Sequence, residues 1–382
     1  MKKYALILST GFAMFSMFFG SGNLVFPLVV GQQSGGHYLL SALGIFLTGV
    51  LVPFLGVLAM MLCKGNLSEF FRSIGRVGTF IFSLIALMLM GPLGVLPRCV
   101  LVAHGAFLQV FPSASLIWVS LSLCAVIYFL TVNKKKIIPV LGSFLTPVLL
   151  IAILAIFILA LVKGTFPAVT GTGFGWSSFK IGFFQGYQTM DLLAAFFFST
   201  FVIEHLQSSG AEKVCEKTSL STFLKSASIG AGILTIVYFF LVLLGSIYAS
   251  ELTTVAPQEI FGFIALKTLG SFAAPCMCIA IVLACLTTAV VLASLFADFL
   301  SKDLSKGKIG GKMSLVITLL IAFGMTLLKF SGIMNFLGPL IAMIYPALIM
   351  LTVVNIAHRM WGLKNSHWPT TLTLVAKICS AF

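Results

Sequence analysis

Charge is what this sequence has least of. Of its 382 residues only 8% are Asp, Glu, Lys or Arg, and only nine are acidic. Soluble domains carry roughly 25% charged residues, so no water-exposed domain can be fitted into the chain. Cysteine motifs are missing as well. Cys63, Cys99, Cys124, Cys215, Cys276, Cys278, Cys285 and Cys379 are scattered, mostly inside apolar runs, with no CxxC pair and no neighbouring metal ligands. They read as small apolar packers, which excludes a disulfide framework and a zinc site. His, Cys and carboxylates do not gather within the apolar runs either, so the chain is not expected to be an enzyme.

What abounds is apolar: 60% of the residues are hydrophobic, and the mean hydropathy is +1.15. Runs near 20 residues, the length that crosses about 30 Å of hydrocarbon, recur from one end to the other. Membrane spans are expected near 4–30, 38–62, 79–108, 115–132, 138–162, 181–206, 222–248, 272–300, 313–329 and 333–358. The net charge of +14 would suit nucleic acid if it formed one patch, but it is shared among short joints between spans, so no nucleic acid is expected. Alternate joints hold most of it: Lys2 and Lys3; Lys64, Arg72 and Arg76; Lys134 to Lys136; Lys213, Lys217 and Lys225; Lys302, Lys306, Lys308 and Lys312; Arg359, Lys364 and Lys377. The opposite joints carry only Lys163, Lys180, Lys267 and Lys329. The positive-inside rule then places the N-terminus in the cytoplasm of a multi-pass protein of a cytoplasmic membrane. The first span follows Lys2-Lys3 as a secretory signal would, yet stays apolar to Phe26-Pro27, so it is expected to be retained.

Two spans differ in kind from the others. FAMFSMFFGSGNLVFP, residues 12–27, is cut by Gly20-Ser21-Gly22-Asn23, and the sixth span is cut by Gly186-Tyr187-Gln188-Thr189-Met190-Asp191. Interruptions in spans one and six predict two five-helix halves, about 4–162 and 181–358, inverted because each half holds an odd number of spans. The fold class is therefore an all-α polytopic membrane protein with a 5+5 inverted repeat, one core over 1–358 and a short tail over 359–382. Close packing of small residues is the alternative for a glycine-rich cut, but packing requires neither Asn23 nor Asp191.

Unwinding a helix in hydrocarbon frees backbone groups, each costing several kcal/mol on the order of magnitude if nothing binds it. N–H groups near Ser21 to Leu24 would carry the positive end of a helix dipole and suit a carboxylate. Carbonyls near Ser16 to Phe19 would suit a cation or an ammonium group, so a zwitterion satisfies both. Asp191 is the one acid near the middle of a span. A carboxylate there costs roughly 2.5–3.5 kcal/mol on insertion scales, which marks it as functional, as a cap of the second half-helix with Thr189, or both. Arg98, after Pro97 in GPLGVLPRC, pairs with Asp191, lines an outer vestibule or snorkels; His104 reads as a hydrogen-bonded packer. Thr287 and Thr288 either bond back to their own helix or offer hard oxygens to Na⁺.

In order, FFGSGNLVFPLVVG, GPLGVLPR, GSFLTPVLL, FFQGYQTMDLLAA, LACLTTAVVL and IYPALI resemble the bacterial branched-chain amino acid:cation symporters, the BrnQ or LIVCS family, over about residues 5–358. The resemblance implies the LeuT-type fold of the amino acid–polyamine–organocation superfamily. It implies backbone N–H groups of Gly20, Ser21 and Gly22 on a substrate carboxylate, with Asn23 organising the unwound segment. Gly186, Tyr187, Gln188, Thr189 and Asp191 would form the other wall of the substrate pocket. The carbonyls of Ser16, Phe19 and Ala284 with the hydroxyls of Thr287 and Thr288 would hold Na⁺. The implied function is Na⁺-coupled import of Leu, Ile or Val by alternating access, with no cofactor beyond the coupling ion. Another neutral amino acid such as Met, or coupling to H⁺, is the alternative, and a channel a remoter one. The chain departs from the family in having GSGN for GAGN and in reading CVLVAHG after Arg98 where hydroxyls and a glutamate are usual, and the family's last two spans are not expected after residue 358.

Overall fold

A computed structural model describes residues 2–71, 75–132, 150–162, 175–208, 217–270 and 274–361. All regular structure among them is helical. The first span is two half-helices, α1 (Lys2–Phe18) and α2 (Ser21–Ser34). Between them Gly20 is extended, at φ −115° and ψ −166°, and the helical ladder restarts with the Leu24 N–H on the Gly20 carbonyl at 3.3 Å. Pro27 lies inside α2 and has no N–H to offer the Asn23 carbonyl, so the helix restarts weakly. The second span runs as α3 (Tyr38–Phe46), a π-helical turn at Leu47–Leu51, and α4 (Val52–Leu62).

The third span departs from expectation: it is broken too, into α5 (Gly75–Met90) and α6 (Val95–Leu108). Pro92 removes a donor there, and a side chain at Gly94 would put its Cβ 2.0 Å from the Leu89 carbonyl oxygen, so the chain can fold back only on glycine. α7 is Leu116–Val132, and α8 is Leu150–Val162, the described part of the fifth span. Residues 138–149 of that span, Cys215 and Cys379, and most of the tail (362–382) lie outside the described residues.

The sixth span divides into α9 (Trp176–Gln188) and α10 (Asp191–Ser208). Its break is narrower than the sequence suggested, because Gly186, Tyr187 and Gln188 remain helical and only Thr189 and Met190 leave the helix. Met190 sits at φ +59°, a left-handed conformation that side chains with a Cβ disfavour. Then follow α11 (Lys217–Ile247), α12 (Ile260–Leu269), α13 (Ala274–Phe299, ending in a π turn at Leu300–Leu304), α14 (Gly311–Thr326) and α15 (Lys329–Trp361). The span reading did not foresee α12, since ten apolar residues are too few to cross a bilayer.

Packing links each broken helix to an unbroken neighbour from the other half. α1 and α2 lie along α11, while α9 and α10 lie along α3 and α4; α6 lies on α13. Exchanging the halves converts the first set of contacts into the second and returns the third to itself, as an inverted 5+5 repeat requires. Small residues bring the backbones together. A Cβ on Gly31 of α2 would fall 2.0 Å from the Val242 carbonyl oxygen of α11, and one on Gly182 of α9 would fall 1.9 Å from that of Ser41 on α3. Gly182→Ala should therefore destabilise the protein by about 1–3 kcal/mol through overpacking, read as a lower unfolding temperature in detergent. A melting curve that does not move would mean that α3 and α9 separate freely.

The two ends of the bundle carry separate ion pairs. Arg359 pairs with Glu69 at one end, where Asn355 Nδ2 also donates to the Phe70 carbonyl at 3.0 Å; Lys267 pairs with Glu251 at the other.

Candidate functional site

The two breaks meet in the middle of the bundle. A Cβ added at Gly22 would lie 3.5 Å from the Thr189 Cα, so the first turn of α2 faces the gap between α9 and α10. Asn23, in that turn, turns its side-chain amide outward and its carbonyl inward. Asn23 Nδ2 donates to Asp191 Oδ2 at 2.6 Å and approaches the Tyr238 hydroxyl oxygen at 2.7 Å, while Asn23 Oδ1 accepts the Gly20 N–H at 3.4 Å. The Tyr238 hydroxyl in turn donates to Asp191 Oδ2 at 3.3 Å. Three helices, α2, α10 and α11, are thus knotted through one carboxylate oxygen.

Asp191 is 4% exposed and has no cation within 4.0 Å among the described residues. Its support is neutral donors and the positive end of α10, whose first residue it is. Thr189 closes the preceding turn: its hydroxyl donates to the Gly186 carbonyl at 2.9 Å and accepts the Asp191 N–H at 3.5 Å. Both roles foreseen for Asp191, buried charge and helix start, are therefore compatible with its geometry.

A cavity of about 30 Å³ lies at the breaks, lined by Gly20, Ser21, Gly22, Asn23, Thr189 and Asp191 together with Met17, Phe18, Met90, Val95, Met190, Ala194, Phe198, Thr288 and Leu292. That volume holds a water or two, so the helices must part before a larger solute fits. Gly186, Tyr187 and Gln188 point elsewhere. A Cβ on Gly186 would strike Thr48 Oγ1 of the π turn at 2.0 Å, Tyr187 lies tilted against Tyr345 of α15 with ring centres 5.0 Å apart, and Gln188 is taken by Arg98.

Arg98 does not pair with Asp191, and it does not snorkel. It is 2% exposed, its two terminal nitrogens donate to the Gln188 carbonyl at 2.8 Å and to Gln188 Oε1 at 3.0 Å, and its guanidinium lies 5.3 Å from the Phe26 ring and 6.0 Å from that of Phe330. A cation at the last carbonyls of α9 meets the negative end of that helix. His104 is a hydrogen-bonded packer, with Nε2 3.1 Å from the Ala114 carbonyl oxygen.

On the α13 side the Thr287 and Thr288 hydroxyls both donate to the Ala284 carbonyl, at 2.8 and 3.3 Å. Each keeps its lone pairs, and Thr288 Oγ1 would stand 3.4 Å from a Cβ at Gly20, so one hard oxygen, that of Thr288, faces the break of the first span. Phe19 donates its N–H to the Phe15 carbonyl at 2.9 Å. Tyr238 is the residue that reading the sequence missed; its signal is a phenol hydroxyl near the middle of the seventh span, within the apolar run Ile236 to Leu244.

Below the breaks, at the end that carries Arg359 and Glu69, opens a vestibule of about 560 Å³ between α5, α10 and α13, lined by Arg76, Thr79, Phe80, Ser83, Leu87, Phe197, Phe299 and Asp303, with Leu67 and Gly75 at its rim.

Comparison with known proteins agrees with this architecture. The permease BrnQ of Bacillus subtilis, described as a branched-chain amino acid permease, is 30% identical over 98% of this chain and 86% of its own length. The protein of the same description from Corynebacterium glutamicum is 31% identical over 93% and 81%. Among solved structures, the inward-facing conformation of Mhp1 superposes with a TM-score of 0.69 at 14% identity, covering 93% of this chain and 77% of that one, which shows the shared LeuT-type fold. A family model described as branched-chain amino acid transport protein matches residues 3–382, and the chain is a member of that family of bacterial multi-pass membrane transporters.

Proposed function

We propose that the chain is a secondary active symporter that imports leucine, isoleucine and valine with Na⁺. The facing breaks carry this reading, because they set a helix N-terminus and a buried carboxylate on the walls of one cavity. The first-turn N–H groups of Ser21, Gly22 and Asn23 have no partner four residues back and suit the substrate carboxylate. Asp191 and the carbonyls closing α1 suit its ammonium group. Met17, Phe18, Met90, Phe198 and Leu292 supply an apolar wall for a branched side chain. One methylene is worth only about 1–3 kcal/mol in such a wall, so Leu, Ile, Val and Met should compete.

Na⁺ would sit between the carbonyls of Ser16 and Phe19 and the Ala284, Thr287 and Thr288 oxygens. Binding there would order the break, and substrate would bridge the first and sixth spans. Rocking of one group of helices against the rest, with repeats near 4–162 and 181–358, would then expose the site to the other side. The basic joints put the N-terminus and the vestibule in the cytoplasm of a bacterial cell. Thr288→Ala should raise the Na⁺ concentration for half-maximal uptake about tenfold, the worth of one good oxygen ligand, and an unchanged requirement removes Thr288 from the ion site. The direct test is reconstitution into liposomes with an imposed Na⁺ gradient and radiolabelled leucine, where saturable concentrative uptake is expected and flux without saturation indicates a channel.

Proton coupling is the second reading, favoured by the neutral company that Asp191 keeps. Uptake driven by a pH gradient in Na⁺-free buffer would select it.

A further inference from the structure

We propose that the vestibule is a second station for the transported amino acid, with Arg76 holding its carboxylate, Asp303 its ammonium group, and Phe80 and Phe299 its side chain. The inference rests on the transport reading above.

The vestibule and the cavity at the breaks are lined by the same three elements, α5, α10 and α13. Along α5, Arg76, Phe80, Ser83 and Leu87 line the vestibule and Met90 lines the cavity. These positions recur every three or four residues and so share one helix face, about 21 Å long from Arg76 to Met90. α13 and its closing π turn repeat the pattern, with Thr288 and Leu292 at the cavity, Phe299 and Asp303 at the vestibule. On α10 the neighbours Phe197 and Phe198 serve one space each. Leu87, one turn before Met90, and Phe197, beside Phe198, are both buried.

The charges in the vestibule match a zwitterion. Arg76 and Asp303 line it from different elements, α5 and the π turn that closes α13, and neither is ion-paired among the described residues. The Thr79 hydroxyl donates to the Gly75 carbonyl at 2.8 Å, so its proton is not offered to Asp303. On the same two elements, the rings of Phe80 and Phe299 lie against each other with centres 6.0 Å apart and offer one apolar surface. A space of about 560 Å³ accommodates a whole amino acid, unlike the cavity above it. Because both charges are exposed, water and salt weaken them, and the station holds its ligand loosely. Loose holding suits a solute on its way out.

Right-side-out and inside-out vesicles separate the two faces. In R76Q and in D303N the KM for leucine should rise about twofold to fivefold at the face that carries Arg76, and by a smaller factor at the opposite face. Equal rises at both faces, or none, overturn the proposal. Fragments of leucine separate the two charges. 4-Methylpentanoate, which keeps only the carboxylate, should inhibit from the vestibule face in D303N and lose that inhibition in R76Q; isopentylamine should do the reverse. Inhibition by either fragment that neither substitution alters overturns the charge assignment. If the unsubstituted protein moves no leucine in either vesicle, the transport reading fails; if it does and the variants show no one-sided change, only the second station falls.

Discussion

Asp191→Asn is expected to cut leucine uptake at least about a hundredfold while the protein still inserts and folds. The substitution isolates charge from shape. Asn starts a helix about as well as Asp, so the first turn of α10 keeps its cap. It also keeps an oxygen where Asn23 Nδ2 and the Tyr238 hydroxyl now converge, at 2.6 and 3.3 Å. What disappears is the negative charge in a site that water reaches poorly, and a buried charge left without its opposite costs about 3–5 kcal/mol, two or more decades in rate or affinity. Initial rates of uptake and a melting curve in detergent settle it together. Uptake with unchanged kinetics and ion dependence would reduce Asp191 to a helix cap.

Arg98→Lys should slow uptake by about tenfold or more, although it keeps the charge. The guanidinium is planar and forked, which lets it serve the Gln188 carbonyl and side chain together and lie against the rings of Phe26 and Phe330. A lysine ammonium is a single point on a flexible stem and cannot do both. Hydrogen bonds to a charged group are worth about 1.5–3 kcal/mol each, so losing one loosens the end of α9 directly before the break. Asp191 is three residues beyond Gln188, and its position depends on that end staying fixed. A lysine variant with wild-type rates would show that Arg98 only fills space between the third and sixth spans.

The breaks were legible because their residues are out of place in lipid. Two glycines beside an amide, and an acid in the middle of a span, stand out against a chain with nine acids. The partners of those residues were not legible. Charge logic offered Asp191 to Arg98, yet the fold gives Arg98 the amide and carbonyl of Gln188 and gives Asp191 a tyrosine from the seventh span. Tyr238 is one hydroxyl among many aromatic rings, and only the folded backbone brings it to Asn23, 215 positions away in sequence. Gly186 looked like part of a break because glycine unwinds helices, but here its missing side chain makes room for Thr48. The cut at Gly91–Gly94 is written in Pro92 with Gly91 and Gly94, but a proline within a span signals a kink as readily as a break.

The π turn at Leu47–Leu51 makes the two halves mechanically unequal. Its Thr48 hydroxyl donates to the Phe183 carbonyl at 2.8 Å, just ahead of the break in the sixth span, so the splint beside that break has a soft joint of its own. The first span leans instead on α11, a rod of 31 residues with no such joint. Bending in one place is followed; in the other it is resisted. A cycle run by this protein would flex chiefly along the sixth and second spans, with the first and seventh serving as the stiffer beam.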